Sequence, residues 1–260
     1  MEVVILPSTA ELGAIVADAV EALLSRRPDA VLGLATGSSP VPVYDELVER
    51  HLAGRVSFAS TRAFLLDEYV GLPRSHPESY RSVIERVFTG RVDFEPAAVQ
   101  GPEGTACDLV AACRSYEEAI AAVGGVDLQL LGVGADGHIG FNEPGSSLGS
   151  RTRLKTLTGQ TRVDNARFFG SVDDVPRHVL TQGVGTILEA RHLILVASGA
   201  AKAAPVAKVV EGPVTAMVPG SALQLHPHVT VVVDDAAASS LALADYYRET
   251  WAGKPRWQGI

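Results

Sequence analysis

The sequence predicts an α/β fold: one domain built on a doubly wound, mostly parallel, Rossmann-like sheet with helices on both faces. Two observations carry this expectation. Short apolar runs of strand length recur along the chain, the pattern of strands buried on both faces, and between them lie longer segments whose apolar residues keep helical spacing. Several apolar runs also end in glycine and small polar residues, which suits turns at the carboxyl edge of a parallel sheet, where open α/β folds place their ligands.

Glu2 to Leu6 reads as the first strand. Ser8 and Glu11 form a capping box for a helix in which Leu12, Ile15, Val16, Ala19, Val20, Leu23 and Leu24 hold helical spacing, and Pro28 lies just beyond its end. Residues 30–35 form a second buried strand, 43–53 a helix, and 62–66 a third strand that ends at Asp67 and Glu68. Helices over 78–88 and 105–123 lead to a strand at 128–131. The runs 192–197 and 229–233 are strands, each followed by an alanine-rich helical stretch. Residues 145–174 are less regular, polar and rich in Arg, Ser and Thr, which marks a candidate lid. No repeat, low-complexity tract or linker interrupts residues 1–260, so a single domain is the economical reading.

Composition limits the function classes. A chain of 260 residues with 47% hydrophobic content can bury a core without disulfides. A net charge of −8 and a pI near 5.4 argue against a general nucleic-acid or anionic-membrane binder, while leaving room for a local basic site for a small phosphate ester. Cys107 and Cys113, inside an expected helix, are spaced for neither a zinc knuckle nor a disulfide framework. With no secretory leader and no run of transmembrane length, a reduced, cytoplasmic setting is expected.

The stretch from Asp127 to Pro144 carries the chemistry, because it runs an apolar strand into a turn bearing Asp136, His138 and Glu143. Asp136 and His138 are two residues apart in a glycine-rich turn, where a carboxylate can hold an imidazole in one tautomer and raise its basicity. Gly132, Gly134 and Gly137 also match the dinucleotide-binding pattern, but that pattern must open into a helix, and Pro144 breaks one within a turn or two. Thr36, Gly37, Ser38 and Ser39 pass from strand to helix through small residues whose N–H and hydroxyl groups can converge on an anion; the plain alternative is an ordinary turn capped by Ser39 ahead of Pro40. Lys202 and Arg167 can supply phosphate charge or stand as solvated cations. Asp67 ends an apolar strand, and so reaches the same sheet edge or merely caps a turn. His226 and His228 flank a proline and read as surface loop, and His51, His76, His178 and His192 read as surface residues.

Taken in order, Leu32 to Pro40, Leu66 to Leu72, Gly134 to Pro144, Ser150 to Thr156 and Thr181 to Thr186 closely resemble the glucosamine-6-phosphate deaminase family over nearly the whole chain. The resemblance implies conversion of glucosamine 6-phosphate and water to fructose 6-phosphate and ammonia, with no metal or organic cofactor. It implies Asp67 as the carboxylate that moves a proton between C2 and C1, His138 as the ring opener, and Asp136 and Glu143 as the carboxylates that orient and tune it. Thr36 to Ser39, Arg167 and Lys202 match the phosphate site. Ser146, Arg153, Lys155 and Thr156 match positions that bind N-acetylglucosamine 6-phosphate as an activator in the hexameric branch of a family whose members range from monomer to hexamer, so a homo-oligomer is one expectation. The partner is a small sugar phosphate, neither nucleic acid nor membrane. Gln182 stands where an apolar residue is expected, and Gly145 and Gly149 replace alanines, which predicts a looser lid. The rival readings are a 6-phosphogluconolactonase, which shares the phosphate loop and a similar Asp-Gly-His block, and a sugar-phosphate sensor without chemistry. Asp67 to Tyr69 with Asn142 to Pro144 favours the deaminase, and no acid or base is missing as a sensor would require.

Overall fold

The computed structural model describes residues 1–260, the side chain of Arg256 excepted. In chain order the elements are β1 (Glu2–Leu6), α1 (Thr9–Arg26), β2 (Val31–Leu34), α2 (Val41–Leu52), β3 (Arg62–Leu65), β4 (Asp67–Tyr69) and α3 (Tyr80–Val87). There follow β5 (Val99–Gln100), α4 (Leu109–Ala122), β6 (Leu128–Leu131), β7 (Arg153–Thr156), α5 (Gly159–Phe169) and β8 (His178–Thr181). The chain ends with α6 (Val184–Ile187), β9 (His192–Ala197), α7 (Ala203–Val210), β10 (Val229–Asp234), α8 (Asp235–Ala238) and α9 (Ala244–Ala252).

Alternation along the strands decides the layers, because successive side chains leave opposite faces of a sheet. Val229, Val231 and Val233 of β10 pack into one core with Tyr116 and Ile120 of α4 and Val206 and Val209 of α7. Val232, with Val4 of β1, faces the other core, built on Leu12, Val16 and Val20 of α1 and Val43 and Leu47 of α2. Apolar on both faces, these strands form a seven-stranded sheet in the order β1-β10-β9-β6-β2-β3-β5, with every neighbouring pair parallel. The doubly wound expectation holds. The chain leaves β2 outward toward β3 and β6 outward toward β9, so the carboxyl ends of these adjacent strands diverge and open a crevice between them.

Local signals set the helix ends. Ser8 caps α1 by accepting the Glu11 N–H at 3.3 Å, as its capping box predicts. Asp108 accepts the N–H groups of Val110 and Ala111 at 3.0 and 2.9 Å, which starts α4 at Leu109 rather than near 105 and leaves Cys107 exposed ahead of the helix, with Cys113 buried within it. Ser39 does not cap α2: Pro40 holds the cap position, with no side-chain cap, and Ser39 is buried.

Two expectations give way to a second sheet. β4, β8 and β7 form a three-stranded antiparallel sheet, so Asp67 and Glu68 do not end the third strand but open a new one after Leu66. The segment 145–174 is not irregular, since it contains β7 and α5. Tyr69, Phe141, Leu157, Val175 and Val179 make a small separate core beneath these elements. His192 is buried rather than on the surface, its ring stacked on His228 at 3.7 Å and its Nε2 3.1 Å from the Thr230 hydroxyl; burial, and then the charges of His228 and His226, hold its pKa down at about 3. The other ring of that loop, His226, bonds the Ala190 carbonyl at 2.8 Å. Among the described residues no helix is long and apolar enough to cross a membrane.

Candidate active site

The divergence of β2 and β6 holds a cavity of about 710 Å³, lined by the turns after β2, β3 and β6, by α5 and by Lys202. Thr36, Gly37, Ser38 and Ser39 form its floor at the entry to α2, with Gly37 at φ 105° giving the turn a shape that L side chains rarely adopt. Arg167 from α5 and Lys202 from the turn before α7 line the same space. Lys202 donates from Nζ to the Val133 carbonyl at 2.7 Å. Burial, and then the Arg167 charge, lower its pKa. The six predicted phosphate ligands therefore meet at one cavity.

Asp67 and His138 line that cavity from different elements. Asp67 pairs with Thr181 across β4 and β8 and is buried. Burial raises its pKa well above the ordinary carboxylate value, the adjacent Glu68 charge adds to the rise, and no hydrogen bond opposes them. Glu68 points elsewhere and accepts backbone N–H groups from Tyr69, Tyr80 and Arg81 at 2.8, 2.9 and 3.0 Å, tying β4 to the start of α3. His138 stands in the turn after β6, where no helix opens and the next regular element is β7, unlike a dinucleotide loop. Asp136 Oδ1 lies 2.6 Å from His138 Nδ1 and accepts the His138 backbone N–H at 3.1 Å, and this bond lowers the Asp136 pKa. The Nδ1 proton then belongs to the Asp136 bond, leaving Nε2 with the lone pair in the neutral ring. A Cβ at Gly134 would overlap the His138 imidazole, so glycine is what lets the ring lie against the turn.

Glu143 is placed differently from its expected partner. It is buried but does not line the cavity and makes no ion pair with His138 among the described residues. Its carboxylate accepts from the hydroxyls of Thr158, at 3.1 Å, and Thr161, at the first turn of α5, where backbone donors also favour a negative charge. Gly145 sits at φ 86° and donates to the Ala216 carbonyl at 2.8 Å, so this glycine serves a turn that L side chains rarely adopt. Ser146 is buried with an unpartnered hydroxyl, Arg153 donates to the Asn142 side chain at 2.8 Å, and Lys155 and Thr156 lie on β7; none of the four lines the cavity.

Sequence reasoning missed several cavity residues, among them Tyr69, Tyr80 and Asn165. Tyr80 and Asn165 both hydrogen bond the Tyr69 hydroxyl, at 3.2 and 3.1 Å, and Asn165 thereby joins α5 to β4 across the cavity. Tyr69 was within a recognised motif, but the contacts of the other two arise only from tertiary packing. Among the described residues no three His, Cys, Asp or Glu side chains group as a metal site.

Known proteins place this geometry. A family model described as glucosamine-6-phosphate isomerases/6-phosphogluconolactonase matches residues 8–232. The glucosamine-6-phosphate deaminase of Mycolicibacterium smegmatis is 66% identical over 261 residues, covering 100% of both chains, and that of Streptomyces avermitilis is 62% identical with the same coverage. The solved structure of a monomeric glucosamine-6-phosphate deaminase, 44% identical, superposes with a TM-score of 0.90 over 92% of this chain and 100% of that one. A Trypanosoma cruzi 6-phosphogluconolactonase, 22% identical, covers 93% of this chain and 97% of its own at a TM-score of 0.74, a likeness of fold alone.

Proposed function

The chain belongs to the glucosamine-6-phosphate isomerase and 6-phosphogluconolactonase family, and from that membership we propose the residue roles by which it converts glucosamine 6-phosphate and water to fructose 6-phosphate and ammonia. The observation that carries the proposal is a buried, weakly acidic Asp67 and an Asp136-held His138 on separate elements of one cavity whose floor is a phosphate loop.

The phosphate rests on the turn of Thr36 to Ser39, at the N-terminal end of α2, with Lys202 and Arg167 supplying charge. That grip sets the sugar ring against His138. Nε2 takes the proton of the anomeric hydroxyl and returns one to the ring oxygen, so the ring opens to the aldehyde, while Asp136 stabilises the imidazolium between the two transfers. Asp67, ionised, then takes the proton from C2 and delivers it to C1 while a proton passes from the amine to O1, converting the amino aldehyde through an enol-amine into the imine of the ketose. Water adds to that imine at C2, and expulsion of ammonia leaves the ketone of fructose 6-phosphate. A raised pKa makes Asp67 a stronger base toward carbon than an exposed carboxylate. Glu143 serves the lid in this arrangement, through Thr158 and Thr161.

Ammonia release from glucosamine 6-phosphate, with 6-phosphogluconolactone hydrolysis as the control, tests the assignment; hydrolysis of the lactone without ammonia release would reverse it. Lys202→Ala and Arg167→Ala are each expected to raise KM by about tenfold to a hundredfold, the worth of one partly desolvated charged contact. Inhibition by inorganic phosphate should weaken in parallel, and unchanged values for both would place these cations outside the phosphate site.

Ser146, Arg153, Lys155 and Thr156 are proposed as activator contacts, a reading supported by the buried, unpartnered Ser146 hydroxyl. Activation requires the activator to favour the competent conformation over the resting one. Substrate affinity is therefore expected to rise with N-acetylglucosamine 6-phosphate in an oligomer of this chain and to lose that response in Lys155→Ala, and a monomer in solution overturns the role. Identical curves with and without the activator remove this role.

A further inference from the structure

We infer that Asn142 and Gln182 form a buried positioning pair that fixes the Asp67 strand relative to the His138 turn; the inference rests on the roles proposed for those two catalytic residues. Neither member lines the main cavity, and both are closed to solvent, Asn142 at 0% and Gln182 at 1% exposure. A carboxamide so buried must find specific partners, because each polar atom left bare costs free energy.

The partners form a path between the catalytic groups. Asn142 Nδ2 donates to the main-chain carbonyl of Ile139, the residue after His138, at 2.9 Å, and to the main-chain carbonyl of Gln182 at 2.8 Å. Gln182 reaches the other catalytic segment twice: its N–H donates to the Leu66 carbonyl at 2.7 Å and its Nε2 to the Leu65 carbonyl at 3.1 Å. Leu66 directly precedes Asp67. Arg153 holds the outer end, donating from Nη1 to Asn142 Oδ1 at 2.8 Å.

A brace is needed here because regular structure lapses. The parallel ladder ends at Leu66, whose N–H donates to the Leu34 carbonyl at 3.3 Å, and the antiparallel sheet starts one residue later. The Asp67 carboxylate has no hydrogen bond of its own, so its aim is set through the backbone. Carbon deprotonation demands a closely held geometry, and small misplacements slow it without weakening substrate binding.

Gln182→Met keeps the side-chain length, and the Leu65 carbonyl keeps the Tyr116 hydroxyl at 2.6 Å, so no acceptor is left bare. Asn142→Asp keeps the shape while setting an acceptor against two carbonyls. Both full-length variants are assayed with glucosamine 6-phosphate carrying hydrogen or deuterium at C2, beside thermal unfolding and Asp67→Asn. We expect KM within about twofold of the parent, kcat lower by about tenfold, and a larger isotope effect, because only the C2 proton transfer is slowed. Parental kcat and isotope effect in Gln182→Met overturn the pair, as does a loss of kcat that leaves the isotope effect unchanged. With Asp67→Asn inactive, either result removes the positioning role alone; an active Asp67→Asn removes the catalytic reading beneath it. If Asn142→Asp does not fold, Gln182→Met decides the matter.

Discussion

Asp67→Asn lowers kcat for ammonia release by about 10²- to 10⁴-fold, the usual worth of a positioned general base, with KM nearly unchanged. The amide has the size of the carboxylate but cannot accept a proton from C2, and the phosphate loop, Lys202 and Arg167 are untouched. Steady-state kinetics at saturating substrate check the loss; near-parental turnover would end the assignment. The same variant carries an independent stability signature. Burial raises the folded-state pKa of Asp67, so the stabilising share of its neutral form is complete below the ordinary value of 3.8 and is lost as pH climbs through the raised folded value. Asparagine stays neutral throughout. Asp67→Asn is therefore expected to unfold at a higher temperature than the parent near about pH 8, with the gap narrowing as pH falls toward 3.8. A catalytic residue that costs stability in this way differs from one that merely supports the fold, whose replacement would lower the unfolding temperature.

His138→Gln is the second large effect. Glutamine can still donate to Asp136 but has no nitrogen that can accept and return a proton, so opening of the cyclic sugar should slow by about 10²- to 10⁴-fold. An analogue held in the open-chain form bypasses that step, and its turnover should fall far less. The comparison is made with both substrates on one preparation. Equal losses on the two would mean that His138 does not act in ring opening. The variant also reports on Asp136, whose pKa is lowered chiefly by its bond to the imidazole. Glutamine keeps a donor for Asp136 but removes the imidazole charge, the smaller cause, so the Asp136 pKa should rise by that part alone, which carboxylate NMR can follow.

Most of the central sheet was legible because its strands are apolar on both faces and α1 carries its own cap, whereas the two-residue edge strand β5 was too short to show. Ser8 with Glu11 marked the start of α1 to the residue. The second sheet was not legible: β4 is Asp, Glu and Tyr, β7 alternates half-buried and exposed residues over only Arg153–Thr156, and each is a strand only because β8 lies between them. His192 was misread for a related reason, since its burial depends on His228 and Thr230 from a strand far along the chain. At the site, the residues bearing acid, base or phosphate charge stood out by type and motif, and the structure brings Asp67, His138, Thr36 to Ser39, Arg167 and Lys202 to one cavity. The attachment of Glu143 to Thr158 and Thr161 was hidden, because a carboxylate in a turn does not declare which neighbour it will bind.

The divergence of β2 and β6 has a consequence for how such a protein changes over time. The groups proposed to grip phosphate come from the turn after β2, from α5 and from the turn before α7, whereas those proposed to handle protons come from β4 and from the turn after β6. Handle and tool are carried on separate stretches of chain that touch at a few points, among them Lys202 on the Val133 carbonyl and Asn165 on the Tyr69 hydroxyl. With so few ties, an ancestral sugar-phosphate holder acquires new bond chemistry by altering a few residues in the three-residue β4 or the turn after β6, its grip kept so long as the Tyr69 hydroxyl and the Val133 carbonyl stay in place.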